Sequence, residues 1–178
     1  MTKGFVHEKS VSDSVEWFTP AWLFDALGAE FDLDVCSPGA HKTWVPADNA
    51  LTPQEDGLTS PWIGKVWCNP PYGRGIHRWL DRCADHAATG GAAIALVPNR
   101  TDTAWFQDAA DRANAILFPS GRIRFHPGDK HTPATGSPGT GSALIGYGDW
   151  AVNILRRSHI PGFITTPRNG YYNLKAAA

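Results

Sequence analysis

The sequence predicts an α/β domain with a mainly parallel sheet and helices on both faces. Short apolar runs of strand length alternate with segments whose apolar residues recur at helical spacing. Proline and glycine clusters close those runs. At 178 residues the chain has room for one core, against about 150 residues for a typical domain.

The elements follow in order. Thr19-Pro20 before AWLFDAL reads as an N-cap, a proline at the first helical position and a short helix ending at Gly28. FDLDVC (31–36) alternates as a strand and closes on Ser37-Pro38-Gly39. Residues 40–61 read as a long, turn-rich connection. KVWCN (65–69) is a second strand, halted by Pro70-Pro71. In 75–89, Ile76, Trp79, Leu80 and Cys83 share one helical face. AAIALVP (92–98) is a strand of the fully buried kind. Residues 102–113 read as a helix capped by Asp102, and AILFP (115–119) as a strand. RIRF (122–125) is a short extended piece, 127–141 a Gly/Pro/Thr-rich loop and SALIGYG (142–148) a further strand. WAVNIL (150–155) fits a helix start or another strand.

Composition narrows the function. Apolar residues make up 42% and charged residues 19%, which excludes a disordered tail protein. No 18-residue apolar run and no secretory h-region occur, so neither a membrane span nor export is expected. Cys36, Cys68 and Cys83 form no CxxC, which fits a reduced, cytoplasmic chain. The seven histidines show no ligand spacing, so no metal is expected. GxxxxGK[ST] and GxGxxG are both missing, which disfavours a nucleotide hydrolase or a dinucleotide oxidoreductase. A covalent C5-cytosine mechanism would want a Pro-Cys nucleophile, and the chain has none. Net charge is −1, but residues 1–111 sum to −7 and residues 112–178 to +6. That asymmetry suits a basic face for a polyanion, or halves that neutralise one another in the fold.

The most informative stretch is Asn69-Pro70-Pro71-Tyr72, directly after a strand. Two prolines fix φ near −65° and forbid both helix and ladder, so the segment is a rigid protrusion. It offers an amide oxygen at Asn69, a backbone carbonyl at Pro70 and a ring at Tyr72. These parts suit an exocyclic amine on a flat ring. Two acceptors take its two N–H groups while Tyr72 stacks on the ring. Held so, the nitrogen lone pair turns out of conjugation, towards a methyl donor. The competing reading is a turn that merely ends a strand.

The chain resembles the phage-type DNA N6-adenine methyltransferases, a branch of the S-adenosylmethionine-dependent amino-methyltransferases. The likeness runs from about Glu16 to Tyr147. Its pieces are EWFTPAWLFDALGAEFDLDVCSP, EDGLTSPWIGKVWCNPPYGRGIHRWL, ALVPNRTDTAWF and ILFPSGRIRF. It implies a trimmed Rossmann-like methyltransferase fold over residues 15–173, after a flexible N-terminus (1–14) and before an appended tail (174–178). It implies S-adenosylmethionine as donor, DNA as substrate, base flipping, and direct in-line transfer to adenine N6 by Asn69, Pro70, Pro71 and Tyr72. Phe18, Thr19 and Pro20 would receive the donor's carboxylate at a helix N-terminus. Asp34 would hold its amino group and Asp56 its adenine amine, with Cys36 and Asn69 completing the donor set. Asp56 reads equally as an ordinary turn residue before Gly57. Either Asp32 or Asp34 can be the one that faces the donor.

The sequence departs from the family pattern in two places. VCSPGAH holds one glycine where two or three are usual, and Asp34 to Asn69 spans only 35 residues. No acidic residue clearly serves the donor's ribose, for which Asp48 and Asn49 are the candidates. Arg74, Arg100, Arg122, Arg124 and Lys130 are the expected DNA contacts, with 122–141 as the DNA-reading loop. Arg100 pairing with Asp102 is the structural alternative. Of the tryptophans, Trp22, Trp62, Trp67 and Trp79 read as core or cover. Cytosine N4, RNA adenine and protein glutamine remain rival acceptors, and an inactive DNA-holding module a rival class. A cytoplasmic place in a bacterial host, prophage-encoded, is expected, and pairing of two copies is left open.

Overall fold

The computed structural model describes residues 17–39, 42–127, 131 and 139–167. Its elements are β1 (Trp17–Phe18), α1 (Ala21–Leu27), β2 (Phe31–Asp34), β3 (Ala47–Ala50), β4 (Lys65–Cys68) and α2 (Ile76–Ala88). They continue with β5 (Ala92–Pro98), α3 (Ala104–Arg112), β6 (Ala115–Pro119), β7 (His126–Pro127), β8 (Ser142–Tyr147), α4 (Asp149–Arg157) and β9 (Gly162–Thr165).

Seven strands form one sheet in the order β3-β2-β4-β5-β8-β6-β9. β3, β2, β4 and β5 pair in parallel. β8 runs antiparallel between β5 and β6, and β9 antiparallel beside β6. Five of the seven strands therefore point the same way. Helices cover both faces, as the alternation predicts. Ala93, Ala95 and Val97 of β5 pack with Ile76, Leu80 and Cys83 of α2 and Phe106 of α3. Ile94 and Leu96 point the other way, among Leu23 and Leu27 of α1 and Ile154 and Leu155 of α4. Both faces of β5 are buried, which is why its sequence is an unbroken apolar run. Each fully buried Leu or Ile there contributes about 1.5–3 kcal/mol by leaving water. Trp67 anchors β4 from below the site, meeting Phe24 edge-on at 4.9 Å and Phe31 at 5.5 Å.

Several expectations need correction. The connection 40–61 contains a strand, β3, whose sequence ADNA carries no apolar alternation. α1 is capped by Pro20, with no side-chain bond, rather than by Thr19. α3 starts after Thr103, not Asp102. RIRF joins no strand; of the two readings open for WAVNIL, the helix is the one found, over 149–157. β1 pairs antiparallel with β7, Trp17 opposite Pro127 and Phe18 opposite His126, a ribbon that neither short segment announces. Gly28 ends α1 as expected, in the left-handed conformation at φ 57°, its N–H donating to the Phe24 carbonyl at 2.9 Å. The segments 1–14 and 174–178 lie outside the described residues.

Candidate active site

The C-terminal ends of β2 and β4 lie side by side because these strands pair in parallel, Asp34 opposite Trp67. Side chains leaving those two ends therefore converge, and a cavity of about 770 Å³ opens there. Of the sequence-expected residues, Phe18, Thr19, Asp34, Cys36, Asp56, Asn69, Pro70, Pro71 and Tyr72 all line it. Pro20 is buried at the head of α1 beside them.

Asn69 leaves β4 into the rigid Pro-Pro turn. Its Nδ2 donates to Thr19 Oγ1 at 3.4 Å, and its Oδ1 accepts from the Tyr72 hydroxyl at 3.3 Å. The amide therefore sits between the segment leading into α1 and the Tyr72 ring. Tyr72 itself is 48% exposed, a large apolar surface left open to water.

Asp34 is buried, and no cation lies within ion-pair distance among the described residues. Burial pushes its carboxyl up to about 6, opposed by the Cys36 N–H, which donates to Oδ1 at 3.2 Å, and by the Ser37 hydroxyl. Asp32 points elsewhere: its Oδ2 accepts from the Lys65 N–H at 2.6 Å, and it lines a hollow at the other end of the sheet. Of the two aspartates, Asp34 alone faces the cavity.

Asp56 occupies the left-handed region at φ 51°, and its Oδ1 accepts from the Leu58 N–H at 3.0 Å. It is thus a turn residue and a wall of the cavity at once. The loop carrying it is held from behind. Trp62 Nε1 donates to the Gly57 carbonyl at 2.8 Å. Arg82 donates to the carbonyls of Leu58 and Ser60 and lies over the Trp62 ring at 4.7 Å. A Cβ on Gly57 would overlap the Val35 carbonyl oxygen and press on the Trp79 ring, so only glycine lets the loop close down here.

Cys36 and Cys68 bring their sulfurs to 3.8 Å, and burial raises the thiols of Cys36, Cys68 and Cys83, so they stay protonated. Neither Asp48 nor Asn49 reaches the cavity. Both are exposed, and Asn49 Nδ2 donates to the Asp32 carbonyl at 3.1 Å.

Sequence reasoning missed Trp17, Ser37, Thr43, Thr52, Trp79 and Phe125 as cavity residues. Trp79 was readable only as a helix-face residue, and Trp17 lies in a strand too short to show a period. Trp22, expected as cover, is 45% exposed. Arg74, Arg100, Arg122 and Arg124 are exposed and outside the cavity. Arg100 lies 3.8 Å from Asp102, an exposed pair of little energetic weight. Ile123 and Phe125 are buried, so Arg122 and Arg124 share the opposite, outward face. Lys130 and most of the 127–141 loop lie outside the described residues. Among the described residues, no group of three or more His, Cys, Asp or Glu is placed to hold a metal, and no helix is long and apolar enough to cross a membrane.

Compared with models of known protein families, residues 7–156 match the one described as DNA N-6-adenine-methyltransferase (Dam). No curated protein matches the chain.

Proposed function

The chain belongs to the DNA N-6-adenine-methyltransferase (Dam) family, and on that premise we propose that it transfers a methyl group from S-adenosylmethionine to adenine N6 in DNA. The observation that carries the reading is the meeting of Asn69-Pro70-Pro71-Tyr72 with the buried Asp34 at one cavity.

The cavity suits the donor. Its volume lies in the range that encloses a ligand of this size. Asp34 is a buried carboxylate with no cation at ion-pair distance among the described residues, and an ammonium group would supply one. Thr19, on the cavity wall just before α1, offers its backbone N–H and hydroxyl to a carboxylate, Cys36 borders the same wall, and Asp56 offers a carboxylate oxygen to an adenine amine. When bound, the donor supplies an electrophilic methyl group on a sulfonium.

The chain's own residues then act on the acceptor. Asn69 Oδ1 and the Pro70 carbonyl accept the two N–H groups of the adenine amine, localising its lone pair on nitrogen. Tyr72 gives up its bond to Asn69 and stacks on the base. Held by Thr19, Asp34 and Asp56, the donor would supply its methyl group in line with that lone pair and would depart as a neutral thioether. The amine nitrogen then loses a proton to water. No covalent enzyme intermediate is required, in keeping with three thiols held protonated by burial. In duplex DNA the amine is locked in a base pair, so the base is flipped into the cavity. Arg74, Arg100, Arg122, Arg124 and Lys130 contact the phosphates and position the duplex.

The test is methylation of DNA from a host without adenine methylation, followed by mass analysis of the nucleosides. N6-methyldeoxyadenosine supports the reading. N4-methylcytosine, or label only in RNA or protein, replaces it with one of its rivals. Donor binding without any transfer makes the chain a holding module.

A further inference from the structure

We propose that Trp17 is the second aromatic wall of the acceptor pocket, covering the face of the target base opposite to Tyr72. The inference rests on the methyl-transfer reading above and names a base-binding residue that this reading does not contain.

Trp17 is 52% exposed yet lines the same cavity as Asn69 and Tyr72. Trp22 is nearly as exposed but stands outside the cavity, so it is the pairing of exposure with a place on the cavity wall that sets Trp17 apart from it. Its place is fixed by backbone, not by its own side chain: β1 is pinned antiparallel to β7, with Trp17 opposite Pro127. Phe18 next to it is buried, so the strand alternation turns Trp17 away from the core.

The link to the acceptor runs through Asn69. Thr19, two residues after Trp17, accepts from Asn69 Nδ2, while the Tyr72 hydroxyl donates to Asn69 Oδ1. The amide is thus bracketed by the Trp17–Thr19 segment and by the Tyr72 ring. Two extended residues span about 6.6 Å, so the indole lies within reach of a base held at that amide. A flat base bound edge-on to Asn69 has two faces. Tyr72 takes one, and Trp17 is the half-exposed ring on the segment that flanks the other. Base–aromatic stacking tolerates any ring of suitable size, so phenylalanine should serve in place of tryptophan.

The experiment uses the full chain, with plasmid DNA from a host lacking adenine methylation and tritium-labelled S-adenosylmethionine. Wild type, Trp17→Phe and Trp17→Ala are compared for kcat and KM towards DNA, for donor Kd by calorimetry and for melting temperature. The expected result for Trp17→Ala is a loss of about tenfold or more in kcat/KM for DNA. Donor Kd and melting temperature should match wild type, and Trp17→Phe should stay within about threefold of it. Equal methylation by wild type and Trp17→Ala overturns the proposal alone. So does a weakened donor Kd in Trp17→Ala, which would make the indole a cover for the donor. A fall in melting temperature that Trp17→Phe restores, together with unchanged kcat/KM, makes it structural and also overturns the proposal. A wild type that labels no DNA overturns the methyl-transfer reading itself.

Discussion

Asn69 Nδ2 and Thr19 Oγ1 stand 3.4 Å apart across fifty residues of sequence. The contact ties the segment leading into α1 to the Pro-Pro turn after β4. The two sides of the cavity, at Thr19 and at Asn69, therefore share one hydrogen bond.

Removing the amide should separate those two sides. Asn69→Ala is expected to lower kcat by about 10²-fold or more, a transition-state loss of roughly 3 kcal/mol. Donor Kd should change far less, because Asp34 and Asp56 are untouched and only the long contact from Asn69 to Thr19 is lost on that side. Single-turnover methylation and calorimetry on the same preparation check both halves.

Tyr72 should act through its ring rather than its hydroxyl. Tyr72→Phe loses only the 3.3 Å bond to Asn69, which stacking would break in any case. It should keep near-wild-type turnover. Tyr72→Ala gives up stacking worth about 1–3 kcal/mol and should raise KM for DNA accordingly. Equal kinetics for the two variants would make the tetrapeptide a plain turn.

Asp34 sets a conflict between stability and binding. Its folded pKa of about 6 lies above its ordinary 3.8. Below the ordinary value both states are protonated. Between the two values the folded state holds a proton that the unfolded state has lost, so stability falls as pH rises. Above about 6 the full cost of the buried charge is present, roughly 3 kcal/mol. Asp34→Asn should therefore raise the melting temperature at pH 8 and leave it nearly unchanged at pH 4. The same variant should lose donor binding, and wild-type donor affinity should weaken as pH falls through 6. Calorimetry across pH 5–8 and thermal melts at both ends check these signs.

Much of this was legible in the sequence, for identifiable reasons. AAIALVP announced a strand because both its faces are buried, and α2 because Ile76, Leu80 and Cys83 repeat at helical spacing. Asn69-Pro70-Pro71-Tyr72 announced a strand end and a rigid turn because two prolines leave the backbone few choices, and all four residues line the cavity. β3 was hidden because Asp48 and Asn49 face water on an edge strand, so no apolar alternation exists to read. β9 was hidden for a similar reason, as all four residues are exposed. The β1–β7 ribbon joins two-residue strands more than a hundred residues apart, a pairing set by the fold. Trp17 was therefore invisible as a cavity residue. Asp34 was chosen over Asp32 only by the structure, through the bond from the Lys65 N–H to Asp32.

The outward pair Arg122 and Arg124 should carry salt dependence. If each neutralises a phosphate, DNA affinity falls with salt at a slope near −0.9 per contact. Substituting either by Gln should lower the slope by about one unit on every DNA sequence. Donor Kd should not move. A lower melting temperature with an unchanged slope would assign the arginines to charge neutralisation within the fold.

The methylated product identifies the reaction. DNA lacking adenine methylation is incubated with the protein and S-adenosylmethionine, then digested to nucleosides and weighed by mass spectrometry, with Asn69→Ala as control. Wild type should yield N6-methyldeoxyadenosine, and Asn69→Ala about a hundredfold less. Methylated cytosine, no methylated base, or equal yields from the two proteins would rule out adenine N6 transfer through Asn69.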